Sequence, residues 1–490
     1  MQVRKKSFFS GIIYLLITYC ICLKLHVSEL DALVGLRYLG YICLFELLAF
    51  FVLHKYSSGY LFEYSVIFVF VLFVFNFGQL MIYTYFRNIY HHVRFLLLMS
   101  KDHAYYGFTL MNFAFITICG AILIGESKVT NKKYTTNVLN EVDMKTIVKI
   151  LIAITFPVKV ILDLVTLYIS LTVSGPAARL WVNTFPNIIL YYGKISLLGF
   201  ALLIILNRDN YKKQRNIFLF MICYILVMMI SGIRSENVGY LLVFVFLFLF
   251  TSEKKVNVLS ILFLLVAGIV GLAFISAAGD FRVTTDKSFS TFFECVSKYL
   301  LENNVLLSLL DTLGDTGYTG QSVINGWLPI NKPFMGKSYI FGLFSLIPNI
   351  PYFFTFPGYI TEKTCFALIL QKSGVLSEYY QNIGGSLIGE LFFNFGTIGG
   401  IFFAFVLGII YGNISKKCTT ALNTSNYEKL IWLIPFMFFG TYWVRDYFGG
   451  GFREVVWGPL LLLMIRNLYF YLQKNFKKKA ENVIVFREYK

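Results

Sequence analysis

A carboxylate and an amide stand four residues apart in a glycine-rich stretch that leads directly into a long apolar run. Glu390 and Asn394 lie in GGSLIGELFFNFG (384–396), and TIGGIFFAFVLGIIYG follows without a further charge. In a helix this spacing places both side chains on one face. An unpaired charge at mid-membrane costs roughly 3 kcal/mol, so the pair predicts a polar cavity. The glycines permit a break in the helix, which is tolerated at that depth where the backbone lines such a cavity.

Two roles for Glu390 follow from this position, and the sequence leaves both open. As a general base it could accept a proton from a hydroxyl group of a bound substrate. As a clamp it could pair with an arginine and hold a long loop in place. Both roles put the stretch at a water-filled vestibule beneath that loop.

Four arginines at expected outer helix ends form a second group that could do chemistry. Each stands beside glycine or a carboxylate: Arg234 in SGIRSEN, Arg282 in GDFRVTT, Arg445 in WVRDYFGG and Arg453 in GGFREVVW. Snorkelling to the interface explains many such arginines. However, the positive-inside rule disfavours arginine on the outer side, and planar guanidinium groups bind phosphate bidentately. The four side chains therefore predict a site for an anionic substrate.

Charged residues are also expected within the membrane. Lys159 and Asp163 lie four apart in one apolar run and could neutralise each other, whereas Lys194 in the next run has no evident partner. Because intramembrane charges usually mark functional sites, we expect Lys159 and Lys194 to help hold a lipid-linked phosphate.

The composition indicates that membrane-spanning helices must position these residues. The 490-residue chain is 57% hydrophobic, with a mean hydropathy of +0.69, and many runs reach the roughly 20 residues that span hydrocarbon. Twelve spans are expected, near residues 7–23, 33–53, 62–86, 105–124, 147–170, 187–206, 216–232, 237–251, 256–277, 384–412, 428–444 and 455–472. This all-α, polytopic arrangement leaves no separate soluble domain.

The distribution of basic residues predicts the orientation of these spans. With the N-terminus in the cytoplasm, the inner loops and the tail hold about three times as many lysines and arginines as the short outer loops. Both termini are therefore expected in the cytoplasm. The net charge of +17 is explained by this bias, so no nucleic-acid partner is expected.

One large outer loop interrupts the expected bundle. The single membrane domain (1–490) divides into nine spans (1–277), the outer loop (278–383), three spans (384–472) and a basic cytoplasmic tail (473–490). Within the loop, FFECVSKYLLENNVLLSLLDTL (292–313) repeats apolar residues at helical spacing. It predicts short amphipathic helices that lie against the membrane and roof the cavity, and a loop of this length is usually functional.

Several familiar motifs are missing from the sequence. It contains no Walker loop, no GxGxxG nucleotide fold and no DxD-type metal motif, and its five histidines form no HExxH or similar pattern. Neither a nucleotide-activated donor, nor a cofactor, nor a metal is therefore expected. A donor substrate should already be anchored in the membrane.

The motifs resemble those of the Wzy-type O-antigen and capsule repeat-unit polymerases of bacteria. The resemblance is carried by GIRSENVGYLL (232–242), by GDFR at the start of the outer loop, by PFMGKSYIFGLFSLIP (333–348), and above all by GGSLIGELFFNFGTIGG (384–400). The helix count and the single large outer loop agree along most of the chain.

This resemblance implies a C-type glycosyltransferase architecture and a polymerase that uses undecaprenyl-diphosphate-linked oligosaccharides. The growing glycan would pass from its lipid carrier to the nonreducing end of the incoming repeat unit, at the outer face of the bacterial cytoplasmic (inner) membrane. The pathway's flippase and chain-length regulator would be partners, besides membrane lipids. The product would be O-antigen or capsule polysaccharide.

The resemblance also assigns roles to particular residues. Arg282, and after it Arg234, Arg445 and Arg453, would hold the diphosphate, with Asn394 in the same substrate site. Glu390, Asp280 and Glu378 are the candidate proton acceptors for the acceptor hydroxyl. Glu29 and Asp31 occupy the first outer loop, where other C-type enzymes carry an essential acid, although two solvated loop carboxylates are the simpler interpretation.

Two other functions share parts of this pattern. A lipid-linked oligosaccharide flippase would also need arginines for the diphosphate, but it should show two similar halves and short loops. A ligase that attaches finished O-antigen shares the single large loop. Related ligases use a histidine in that loop, and residues 278–383 contain none.

Overall fold

Helices make up the described part of the chain. In this computed structural model the described residues are 2–28, 30–60, 62–87, 94–127, 141–173, 177–178, 181–182, 184–229, 231, 234–252, 271, 277, 281, 284, 288–301, 305–325, 333–347 and 384–488. Their helices are α1 (Gln2–Val27), α2 (Ala32–Ser58), α3 (Tyr64–Tyr85), α4 (Arg94–Leu98), α5 (Lys101–Ser127), α6 (Glu141–Thr172), α7 (Asn187–Leu206), α8 (Tyr211–Met229), α9 (Arg234–Thr251), α10 (Phe289–Leu301), α11 (Val305–Ile324), α12 (Lys337–Phe344), α13 (Leu387–Asn423), α14 (Tyr427–Trp443) and α15 (Phe448–Glu488).

Eight of these helices are long and apolar enough to cross a membrane. They are α1, α2, α3, α5, α6, α7, α13 and the first part of α15. Three further expected spans form helices, α8, α9 and α14, but they are shorter or begin with charged residues. The expected span at 256–277 falls almost entirely outside the described residues. The chain is therefore a multi-pass membrane protein, and the count of twelve stays a prediction.

In the bundle, α5 and α13 pack closely because small residues lie at their contact. Gly408 and Gly412 on α13 face Ala121 and the backbone of α5. A β-carbon at Gly412 would lie 2.2 Å from the carbonyl oxygen of Ile122. Packing of this kind, with small residues spaced four apart, drives helix association in lipid, where the hydrophobic effect does not.

The outer loop does not simply roof the bundle. The expected amphipathic stretch 292–313 is divided between α10 and α11, and α11 packs along α3 and contacts α5 and α13. Gly314 and Gly317 allow this approach, because a β-carbon at Gly317 would lie 2.3 Å from the carbonyl oxygen of Asn76. Thr319 on α11 donates a hydrogen bond to the carbonyl oxygen of Gly384, 2.9 Å away. The helix α11 is therefore part of the packed helix bundle.

Candidate active site

Glu390 lies fully buried in the first turn of α13 and accepts three hydrogen bonds. Its Oε1 accepts from the hydroxyl of Ser338 at 2.9 Å. Its Oε2 accepts from the indole Nε1 of Trp443 at 2.7 Å and from the backbone amide of Phe448 at 2.9 Å. The N-terminal position on the helix also favours a negative charge. Glu390 thus contacts two segments that are more than 50 residues away in sequence: the segment that contains Ser338, and the short connection between the end of α14 and the start of α15.

Asn394 lies one turn further along α13 and completes the same polar group. Its Nδ2 donates to Ser338 Oγ at 2.7 Å and to the backbone carbonyl of Glu390 at 2.9 Å. The Ser338 hydroxyl therefore accepts from the amide and donates to the carboxylate. The prediction that Glu390 and Asn394 share one helix face and meet a polar partner is confirmed.

The predicted helix break lies at Gly396. Its φ of 66° and ψ of −169° are not helical, and L side chains rarely adopt such a positive φ. The helical partners of the Phe393 and Asn394 carbonyls would lie beyond this break. Amides of the outer loop bind there instead: Phe334 N is 2.9 Å from Phe393 O, and Met335 N is 2.7 Å from Asn394 O.

Further contacts fix the outer-loop segment 333–347 against α15. Arg453, which is buried, donates from Nε to the carbonyl oxygen of Ser345 at 2.7 Å. Trp457 Nε1 donates to the carbonyl oxygen of Leu346 at 2.9 Å. Together with the contacts to Glu390 and Asn394, these bonds hold the segment at both of its ends.

The clamp role of Glu390 therefore takes a different form from the one expected. The expectation was an ion pair between Glu390 and one of the four arginines. Within the described part of the chain, its partners are instead Ser338, Trp443 and a backbone amide, which are neutral donors. Arg453 does hold the loop, but through a backbone carbonyl.

A second polar cluster surrounds Lys194. Its ammonium group forms ion pairs with Glu236 and, at 3.3 Å, with Glu454 Oε1. Tyr240 donates its hydroxyl to Glu236 and lies 3.0 Å from Glu454 Oε2. Lys194 therefore does have partners, contrary to the sequence-based interpretation. They come from the N-terminal parts of α9 and α15.

Arg453 lies beside this cluster, because it shares Tyr191 with Lys194. The Arg453 guanidinium carbon is 5.2 Å, and the Lys194 ammonium 5.0 Å, from the centroid of the Tyr191 ring. Such cation–π contacts help hold cations in place. A small cavity of about 10 Å³ borders Lys194 and Glu454, which is about the room that one water molecule needs. Two of the predicted substrate-binding cations are thus brought together.

Arg445 occupies a different part of the same end of the bundle. Its guanidinium carbon lies 5.7 Å from the centroid of the Phe75 ring, and its side chain is next to Gly384. The neighbouring Asp446 accepts hydrogen bonds from Tyr442 and, at 2.8 Å, from the amide of Tyr447. Removal from water raises the pKa of Asp446 to about 6, although these hydrogen bonds oppose the shift.

Two of the predicted residues have a structural role in the described geometry. Lys159 and Asp163 pair at 2.9 Å, as their spacing predicts, and Tyr224 also donates to Asp163; the role of Lys159 in holding a lipid-linked phosphate stays a prediction. Asp31 caps α2 through the amide of Leu33 and pairs with Lys101 at 2.9 Å. The hydrogen bond from Lys101 lowers the pKa of Asp31.

The remaining predicted site residues lie outside the described residues. These are Glu29, Asp280, Arg282, Glu378 and the side chain of Arg234. Their roles stay predictions.

Four site residues were not predicted from the sequence, although two of them stand in motifs that were singled out. Glu236 and Glu454 stand in the same motifs as Arg234 and Arg453, so each motif offered a carboxylate beside its arginine. Ser338 and Trp443 carried no such signal. Their partner Glu390 is more than 50 residues away in the sequence, and only the fold brings them together.

The fold and the site together define a multi-pass membrane protein with a buried, charged and hydrogen-bonded region at one end of its helices. The chain belongs to the family described as O-antigen polysaccharide polymerase Wzy, whose sequence model matches residues 7–478. The resemblance seen in the motifs is therefore confirmed along nearly the whole chain, and membership supports O-antigen repeat-unit polymerase activity in general. Comparison with curated proteins and with solved structures gives no significant match.

Proposed function

We propose that this protein polymerises undecaprenyl-diphosphate-linked oligosaccharide repeat units at the outer face of the bacterial cytoplasmic membrane. It transfers the growing glycan from its lipid carrier to the nonreducing end of the incoming repeat unit, for O-antigen or capsule polysaccharide. The observation that carries this proposal is the attachment of segment 333–347 to Glu390, Asn394 and Arg453. The attachment places a buried loop, an arginine and an ion cluster at one end of the bundle.

The proposed reaction is a glycosyl transfer from a lipid diphosphate to a hydroxyl group. An acceptor hydroxyl oxygen attacks the anomeric carbon of the growing chain, and the bond from that carbon to the diphosphate oxygen breaks. The hydroxyl proton passes to a carboxylate base, and the lipid diphosphate leaves with the bonding electrons. The donor is already activated by its diphosphate, so the transfer as proposed needs neither a nucleotide nor a metal.

Cationic side chains would stabilise the charge that develops on the leaving diphosphate. We assign this role to Arg282, together with Arg453, Arg445 and Arg234. Support comes from Arg453, because its guanidinium group lies beside Lys194 over one tyrosine ring.

Two roles were considered for Glu390, a general base and a clamp, and the hydrogen bonds that its carboxylate accepts favour the clamp. Both carboxylate oxygens are occupied by donors, and a general base needs an oxygen that faces the substrate hydroxyl. The base is then one of the remaining candidates, Asp280 or Glu378. In this account Glu390 positions the loop that covers the substrate.

The orientation proposed here, with both termini in the cytoplasm, rests on the distribution of basic residues, and the contacts fit the alternation of helix directions that it requires. Groups expected at outer helix ends meet one another, as Lys194 meets Glu236 and Glu454. Groups expected at inner ends also meet one another, as His54 meets Glu126. The pathway's flippase would deliver the lipid-linked units to this outer end, and a chain-length regulator would act on the product.

Deletion of the gene, followed by gel analysis of surface glycans, tests the proposed function. Loss of the length ladder with a single repeat unit retained is the expected result, and a plasmid copy should restore the ladder. Loss of all surface glycan would contradict the proposal and point to a flippase or a ligase.

A further inference from the structure

A buried group of metal-binding side chains lies at the opposite end of the bundle from Glu390. His54 lies near the end of α2 and Glu126 near the end of α5, whereas Glu63 precedes the first residue of α3 and Ser65 lies in its first turn. These four residues are almost completely buried. Ser415, which contacts Ser65, also lies on α13, and the part of that helix between the break at Gly396 and Ser415 alone spans roughly 28 Å of helical rise. The group is therefore remote from the proposed sugar chemistry.

The donor atoms of this group converge on one point. His54 Nε2 lies 3.1 Å from Glu126 Oε1, 3.3 Å from Glu63 Oε2 and 3.0 Å from Ser65 Oγ. For metal–ligand bonds of about 2.1 Å, neighbouring ligand atoms lie about 3.0 Å apart in an octahedral shell and about 3.4 Å apart in a tetrahedral one. The observed spacing is that of atoms sharing one small cation.

Hydrogen bonds within the group account for only part of this convergence: the Ser65 hydroxyl donates to Glu126 Oε1 at 2.8 Å. A ring nitrogen carries at most one proton, yet three oxygen atoms approach Nε2. Among the described residues, both oxygens of Glu63 and Oε2 of Glu126 accept no hydrogen bond. Buried carboxylate oxygens are rarely left in that state, because their desolvation is costly.

The surroundings of His54 suit a metal ligand. Its other ring nitrogen, Nδ1, lies 3.4 Å from the hydroxyl of Ser58. A proton on Nδ1 directed at that hydroxyl leaves the Nε2 lone pair for a cation, and metal-bound histidines commonly have such a partner. Ser415 on α13 hydrogen-bonds both the amide and the hydroxyl of Ser65, which fixes the position of the Ser65 oxygen.

We propose that His54, Glu63 and Glu126, with the hydroxyl of Ser65, bind one divalent cation. One imidazole with carboxylate and hydroxyl oxygens suits Zn²⁺ or Mn²⁺, because Ca²⁺ and Mg²⁺ favour shells made of oxygen alone. The cation fastens the inner ends of α2, α3 and α5 and, through Ser415, that of α13. It is a structural site, and it does not depend on the proposed function.

A lysine also lies next to the proposed ligands. Lys416 Nζ lies 3.7 Å from Glu63 Oε1. With His54 protonated, His54 and Lys416 would neutralise the two carboxylates without any metal. The two arrangements give Lys416 different roles. If a metal cation is bound, the Lys416 ammonium competes with it for Glu63. If no metal is bound, Lys416 is required to balance the charge of the carboxylates.

Metal titration of the purified full-length protein in detergent micelles tests the proposal. The protein is stripped with EDTA and dialysed against Zn²⁺ or Mn²⁺, and bound metal is measured by mass spectrometry and, for Mn²⁺, by electron paramagnetic resonance. We expect about one equivalent per chain and a higher melting temperature with metal. Glu63→Gln and Glu126→Gln should weaken binding at least tenfold. Ser65→Ala, a milder change, should weaken it less, and it serves as the variant if either glutamine substitution fails to fold.

Two further variants make the result decisive. Glu46→Gln alters another buried carboxylate of α2, one bound by Cys22 and Asn112, and it should leave the bound metal unchanged. Lys416→Gln should keep or tighten metal binding. The proposal is overturned if the unaltered protein binds no Zn²⁺ or Mn²⁺, if Glu46→Gln loses as much metal as Glu63→Gln, or if metal leaves the melting temperature unchanged while Lys416→Gln lowers it.

Discussion

Ser338 donates a hydrogen bond to Glu390 across 52 positions of sequence, with 2.9 Å between Oγ and Oε1. This bond joins a helix of the outer loop to the first turn of a membrane-spanning helix. The same hydroxyl accepts a hydrogen bond from Asn394, so a single side chain couples the loop to both residues of the polar face. This coupling is one of the contacts that hold segment 333–347 against α13 and α15.

Ser338→Ala should therefore loosen the loop. The substitution leaves the Asn394 amide with one acceptor instead of two and Glu390 with two donors instead of three, at a cost of about 1–3 kcal/mol for buried groups. We expect at least a tenfold loss of long glycan on surface-glycan gels, with the protein still inserted in the membrane. Ser345→Ala is the matched control, because among the described residues that hydroxyl bonds within its own turn, to the carbonyl of Gly342. Equal activity of the two variants would contradict the coupling.

Lys194→Met should leave the carboxylates of Glu236 and Glu454 without their shared cation. The cluster is only partly exposed, so removal of the cation should cost a sizeable part of the about 3–5 kcal/mol typical of a fully buried ion pair, and both the melting temperature and the length of the glycan should fall. Addition of Glu454→Gln should restore part of the melting temperature, since it removes one uncompensated charge. If the double variant is no more stable than Lys194→Met alone, the two residues do not interact as described.

Arg453→Lys should lower polymerisation although the charge is kept. Lysine has no planar fork, so it cannot both cover the Tyr191 ring and donate to the Ser345 carbonyl in the way that Arg453 does. We expect a loss of tenfold or more in polymer formed per inserted protein. Arg466→Lys, on the same helix, is the control, because Arg466 pairs with the exposed Glu428. A full-length ladder from Arg453→Lys would remove this arginine from the site.

Asp446 should make the stability of the protein depend on pH. Removal from water raises its pKa from 3.8 to about 6, so between these values the folded chain binds more protons at this position than the unfolded chain. Its contribution to stability is fully present below pH 3.8 and is lost as the pH rises through about 6. Melting curves of purified protein between pH 4 and pH 7 should thus show a smaller fall for Asp446→Asn than for the unaltered protein. Parallel pH profiles would contradict the shift.

The parts of the site that could be predicted are those set by local spacing. Residues four apart on a helix face the same way, which gave the Glu390–Asn394 face and the Lys159–Asp163 pair. The glycines after Asn394 indicated a break because a positive φ is costly for other residues, and the break lies at Gly396. Each of these inferences needed only a few neighbouring residues.

The parts that could not be predicted depend on contacts between distant segments. Lys194 lies 42 positions before Glu236, and Ser338 lies 52 before Glu390, so no local pattern relates them. The position of α11 was missed for another reason. An amphipathic helix has the same sequence pattern whether its apolar face meets lipid or other helices. The glycines at 314 and 317, which permit close packing, were the one available hint.

Reconstitution of the purified protein with an undecaprenyl-diphosphate-linked repeat unit would test its central activity most directly. With this single substrate and no nucleotide sugar, we predict a ladder of products that differ by one repeat unit, and release of one undecaprenyl diphosphate for each bond formed. If the repeat unit stayed unextended while the folded protein bound it, the polymerase account would be contradicted.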